Sequence, residues 1–216
     1  MLVALTLSLG RWQTLRAEEK QARQALLETR MRETPLHLTG SVDSAEPLLY
    51  RRVHAAGQWI AAGQVFVDNQ IRDGRAGFHV VTPLRLEGRK DAVLVNRGWV
   101  ARSDAYPRAP QIEVPAGRVE VTGTATLPPK RFLELAPNTV IENVWQNPSI
   151  ERYARHTGTA LLPVVVLADA PAPGLAAVRE NPDAGIARHR EYALTWFSLA
   201  ALALGLWIVL NLRKAR

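Results

Sequence analysis

The chain has 216 residues, with 27 Lys and Arg against 20 Asp and Glu for a formal net charge of +7, and no cysteine. A length of this order allows one modest domain plus membrane elements. The missing cysteine removes disulfides, thiolate metal sites, a thiol nucleophile and C-x-x-C-H haem attachment, and the arginines are spread along the chain, so no nucleic-acid patch is indicated.

The opening run MLVALTLSLG, Met1 to Gly10, is apolar but too short to cross a bilayer alone. It has no basic n-region and no small-residue cleavage site before Arg11 and Trp12, so a signal peptide fits it poorly. It reads as the outer half of a first transmembrane helix whose inner half would precede Met1, as in a shortened gene model. From Trp12 to about Met31, Trp12, Leu15, Ala22, Leu26 and Leu27 recur near helical spacing among charged residues. Residues 1–31 are therefore predicted to be a truncated membrane helix running into an amphipathic stalk, which Pro35 ends. Arg11 and Trp12 read as interfacial anchors.

From 35 to 187 the pattern is that of a β-rich α+β domain. Strands are predicted at Leu36 to Val42, Gln64 to Asp68, Phe78 to Leu86, Ala92 to Val100, Arg118 to Leu127 and Leu161 to Leu167, each bounded by Gly, Pro, Asn or Asp. Val119, Val121, Gly123, Ala125 and Leu127 alternate with polar residues, whereas Ala92 to Val95 has the unbroken apolar character of a strand buried on both faces. One helix interrupts the strands, with Asn147 as cap, Pro148 in its first turn and Gly158 as stop. Loops are expected at Ala170 to Gly174 and Asn181 to Gly185.

Tyr192 to Leu212, YALTWFSLAALALGLWIVLNL, carries no charge and is long enough to span a bilayer. Tyr192, Trp196 and Trp207 stand where interfacial aromatics belong, and Arg188 to Glu191 precede the run. The basic tail at 213–216, with Arg213, Lys214 and Arg216, favours a cytoplasmic C-terminus. The predicted fold class is thus a membrane protein in which two transmembrane helices flank a β-rich soluble domain on the opposite side of the bilayer.

Asp68 to Gly77 resembles a calcium loop superficially, but Arg72 stands where an oxygen ligand is needed and no Glu closes it, so it reads as a hairpin. Asn96-Arg97-Gly98-Trp99 ends a buried strand, with Gly98 permitting a turn and Arg97 a candidate partner for a carboxylate. The histidines, His37, His54, His79, His156 and His189, form no close-spaced ligand pair, and no G-x-S-x-G elbow exists. His189 differs by position. It lies one turn ahead of the final span, with Tyr192 and Trp196 at i+3 and i+7 on one helix face. A neutral imidazole there suits an axial haem ligand, with aromatic rings against the macrocycle and Arg188 or Arg190 meeting propionates. A polar interfacial cap suits the same residues.

Four separated motifs carry a resemblance. They are Leu9-Gly10-Arg11-Trp12-Gln13 with Arg16, Val67-Asp68-Asn69-Gln70 with Gly77 to Leu84, Val93 to Val100, and His189-Arg190 with Tyr192-Ala193 and Trp196-Phe197. In this order the chain resembles the surfeit locus protein family, the Surf/Shy assembly factors of cytochrome c oxidase. The resemblance implies two membrane helices around a domain on the periplasmic or intermembrane-space side, and a role in maturing oxidase subunit I. It also implies handling of haem a, with His189 at the position of the proposed metal ligand. Expected partners are oxidase subunit I, haem a synthase or other assembly factors, and the lipid bilayer, in a bacterial inner membrane. The reading is a non-enzymatic assembly factor; a scaffold that never touches haem and a membrane-bound hydrolase using His79 and Asp68 are the alternatives.

Overall fold

The structure, a computed structural model, describes residues 1–39, 44–128, 140–141, 143–146, 149–179 and 185–214. The chain divides into two units, one of residues 30–180 and one of residues 1–29 with 181–216.

In the first unit, period-two burial builds the strands. They are β1 (Leu36–His37), β2 (Arg52–Trp59), β3 (Val65–Arg72), β4 (Arg75–Leu86), β5 (Ala92–Ala101), β6 (Arg118–Thr126), β7 (Val140–Ile141), β8 (Val144–Trp145) and β9 (Leu161–Ala168). Pairing runs β1-β2-β6-β9-β5-β4-β3-β8-β7, and β2 also pairs with β4. That extra pairing closes β2, β6, β9, β5 and β4 into a five-stranded barrel, which removes the exposed edges an open sheet would leave. Closure falls at Gly57, which faces both Val119 of β6 and Leu86 of β4. A Cβ at Gly57 would lie 2.0 Å from the Arg85 carbonyl oxygen, so only glycine lets the strands meet there.

Val53, Ala55, Val93, Val95, Val121 and Val166 point into the barrel. Leu94, between Val93 and Val95, faces the other way and packs with Val65, Val67, Trp145 and Tyr153. Ala92 to Val95 is accordingly buried on both faces, as its composition requires. The helix α2 (Ile150–Thr157) supplies Ile150 and Tyr153 to that outer layer. Its cap is Ser149, whose hydroxyl accepts from the Arg152 N–H at 3.0 Å, and Gly158 ends it in the left-handed region at φ 67. The cap predicted at Asn147, with Pro148, lies outside the described residues.

Two local expectations change and one holds. The first strand is confined to Leu36–His37, and residues 40–42 of the predicted strand lie outside the described residues. Strand β2 is absent from the sequence reading because its inward residues after Val53 are Ala55 and Gly57, which carry little hydrophobic signal. The hairpin expected over Asp68 to Gly77 is present, with β3 and β4 running up to a two-residue turn, Asp73 and Gly74, both at positive φ (50 and 74) as a type I′ hairpin needs.

In the second unit, α1 (Leu2–Arg32) is one continuous helix and α3 spans Ile186–Lys214. Among the described residues, Ile186–Arg213 is the one stretch of helix long and apolar enough to cross a membrane. Leu194, Leu199, Leu202, Leu206 and Trp207 along it are exposed. Of the predicted amphipathic stripe of α1, Leu27 is buried but Trp12, Leu15 and Leu26 are exposed, and the other covered residues are Thr6, Gly10, Gln13 and Ala17. Those four follow the 4-3-4 spacing of a helix-pair seam, and Ile186, Ala193 and Ala200 answer them at sevenfold spacing on α3. Small residues take the seam because the helices approach closely: a Cβ on Gly10 would stand 2.7 Å from the Phe197 ring.

Candidate functional site

His189 sits in the first turns of α3, where its backbone N–H donates to the Gly185 carbonyl oxygen at 3.1 Å. Its ring is half-buried, and its Nδ1 lies 2.6 Å from Oε1 of Gln13 on α1. Gln13 is itself buried. A carbonyl oxygen can only accept, so Nδ1 carries its proton in this arrangement, and the lone pair a metal would need falls to Nε2. Among the described residues no protein group bonds Nε2. That donor chemistry fits a haem iron, which needs a neutral imidazole nitrogen held in one tautomer.

The other predicted residues fall around this ring unevenly. Trp196 is half-buried, and with Tyr192, exposed at 50%, it stays within roughly 60° of arc of His189 on the helix. Arg188 is exposed. Arg190 is exposed too, but its Nη2 donates to Gln21 Oε1 at 2.7 Å, so α1 already holds its guanidinium. Beside it a shallow groove of about 390 Å³ is lined by Gln21, Gln24, Glu28, Ile186 and Arg190. Sequence reasoning took Gln13 only as part of a motif. Its place in the Thr6, Gly10, Gln13, Ala17 series, a polar side chain amid small ones, was the available signal.

The hydrolase alternative required His79 and Asp68 to act together, and the strands separate them. His79 lies opposite Val67 and Trp99, on the face of Val65 and Val81, whereas Asp68 follows Val67 and projects to the face of Phe66 and Phe78. Asp68 is 2% exposed and accepts two N–H groups of Arg102, at 3.0 and 2.7 Å, and the Tyr106 hydroxyl at 3.2 Å. It is a structural anion, neutralised in place.

Burial lowers the His79 pKa from 6.5 to about 4, so the folded chain holds it neutral. An unfolded histidine takes a proton near pH 6.5. Stability from this group is therefore complete above that pH and falls as pH drops through the window from 6.5 to about 4, by up to about 3 kcal/mol. Chemical denaturation at pH 7 and pH 4.5 is expected to show the parent losing more stability than His79→Gln across that interval. Equal losses would mean that the imidazole stays solvated when folded.

Arg97 is 4% exposed, and no carboxylate meets it among the described residues, contrary to the sequence expectation. It donates to Gln64 Oε1 and the Glu113 carbonyl oxygen, both at 2.9 Å, with its guanidinium 5.2 Å from the Trp59 ring centroid. Burial lowers its pKa. Arg97 and Trp59 also line a cavity of about 210 Å³ with Val119, Val121 and Ala168 at one mouth of the barrel.

Sequence comparison places these features in a family. A SURF1-like protein of Monosiga brevicollis is 27% identical over 223 residues, covering 96% of this chain and 84% of the relative. Surfeit locus protein 1 of Mus musculus is 28% identical over 236 residues, covering 99% and 74%. That of Homo sapiens is 28% identical over 235 residues, covering 99% and 76%. The description "SURF1 family" matches residues 1–201, which hold the barrel, Gln13 and His189 alike, and the chain therefore belongs to the SURF1 family.

Proposed function

We propose that this chain is a membrane-anchored assembly factor for cytochrome c oxidase, without turnover chemistry of its own, that assists haem a insertion or the maturation of subunit I. The observation that carries the haem part is the His189–Gln13 pair, an imidazole held through Nδ1 at the start of the apolar helix α3. Family membership supports the assembly role. His189 would hold the iron through Nε2, Trp196 and Tyr192 would flank the macrocycle, and Arg188 is the cation left for a propionate. Arg190 serves instead to fix the first turns of α3 to α1. Bound haem a would supply only the prosthetic group to be passed on. The chain's part is to present one ligand and shield one face.

In this proposal α3 spans a bacterial inner membrane, and the apolar start of α1 enters beside it. The barrel lies on the periplasmic side, where it meets subunit I, haem a synthase or another assembly factor. A reporter active only in the cytoplasm is expected to work when fused after Arg216 and to fail when inserted at Gly74, the open tip of the β3–β4 turn. A cytoplasmic signal from Gly74 would contradict the orientation.

The direct test is to purify the full chain from membranes of cells that also make haem a and to record its Soret absorbance. The proposal expects stoichiometric pigment with the haem a pyridine spectrum. A colourless protein would favour the scaffold, in which His189 and Gln13 merely join two helices.

A further inference from the structure

We infer that Gln13 is a positioning residue of the haem site: its side-chain carbonyl decides which nitrogen of His189 is free to ligate. This rests on the haem reading above. A glutamine amide can offer either its oxygen or its NH2 to an imidazole, and the two orientations have opposite consequences. Here Oε1 faces Nδ1 at 2.6 Å, a close contact for an N–H···O bond. The proton must then sit on Nδ1. With the NH2 turned inward, Nδ1 would accept, the proton would sit on Nε2, and no lone pair would remain at the outward nitrogen.

The choice of a neutral acceptor also has chemical content. A ligating histidine commonly donates its second N–H to a carboxylate or carbonyl, and a carboxylate makes the imidazole the stronger donor to iron. A carboxylate at residue 13 would be buried in a seam otherwise formed by Thr6, Gly10, Ala17, Ala193 and Ala200, where an unneutralised charge is costly. Glutamine fixes the tautomer without that charge. It leaves the imidazole a moderate ligand, which suits a site that passes its haem on.

A buried polar pair in a helix seam can also serve only to set register. The spectroscopic consequences separate the two roles. The full chain, purified in detergent from cells making haem a, is compared with Gln13→Leu and Gln13→Glu. Leucine removes the acceptor at similar volume, and haem affinity is expected to fall about tenfold or more, with the reduction potential of the residual haem shifted upward. Glutamate strengthens the acceptor, and its haem is expected to be retained with the potential shifted downward. A register role alone would leave the potential at the parent value in both variants, and that result overturns the inference while leaving the haem site standing.

Nitrogen-15 NMR of the haem-free chain supplies a readout that needs no pigment. The parent His189 is expected as the Nδ1–H tautomer, and Gln13→Leu should release it toward the Nε2–H form. A parent in the Nε2–H form overturns the inference. A parent that never acquires haem overturns the haem reading itself, whatever the tautomer.

Discussion

Replacing His189 by Ala is expected to leave the protein in the membrane and to abolish co-purifying haem a. The expected loss of haem affinity is on the order of a hundredfold or more, since losing a mere hydrogen-bond partner of a ligand already costs 10–100-fold. Alanine favours helix more than histidine does, so the start of α3 should persist. The seam residues Ile186, Ala193 and Ala200 remain in place, as does Phe197 over Gly10. Two companions sharpen the result. Tyr192→Phe keeps the ring and removes only the hydroxyl, so pigment should be largely retained. His79→Gln, in the barrel unit, should alter the pH dependence of stability and leave the pigment unchanged. If His189→Ala carries as much haem a as the parent, His189 is an interfacial cap.

Arg97→Leu is expected to be among the most destabilising single substitutions in the barrel unit, at about 3 kcal/mol. The guanidinium makes two charge-assisted hydrogen bonds, each worth about 1.5–3 kcal/mol, from a position 4% exposed. Its loss frees the Glu113 carbonyl and leaves the Gln64 carbonyl with only the Thr82 hydroxyl, which donates to it at 3.0 Å. Arg97→Lys should recover little, because an ammonium cannot span both acceptors as a planar fork does. Arg118 gives the contrast. It reaches Glu87 at 3.2 Å and Glu120 at 2.7 Å, yet all three side chains are more than half exposed, so Arg118→Ala should leave the denaturation midpoint nearly unchanged. A midpoint for Arg97→Leu equal to the parent's would show that the loop carrying Glu113 is not tied to the barrel through this side chain.

How much of this was legible in the sequence depends on what each residue contributes to a pattern. The central strands could be read because Ala92 to Val95 and Val119 to Ala125 announce their burial by composition and alternation. The barrel could not. Its closure depends on Gly57 meeting Arg85, a contact between distant strands that leaves no local trace, and β2 was missed for the same want of large apolar residues. The Asp68–Arg102–Tyr106 cluster was equally hidden, since its members are 34 and 38 positions from the aspartate. For the site, position alone singled out His189, Tyr192 and Trp196. Gln13, 176 residues away, becomes visible only when α1 and α3 pair. The apolar periodicity of α1 located Leu27 but not the covered Thr6, Gly10, Gln13 and Ala17, whose side chains carry little hydrophobic signal.

Service in the building of a haem a-containing oxidase, as proposed, is read out by the reduced-minus-oxidised absorbance of a-type haem in membranes of cells lacking this protein, with and without the chain restored. The a-type signal is expected to fall in its absence, to return with the parent, and to return only in part with His189→Ala. A full a-type signal in cells that lack the protein would contradict the account.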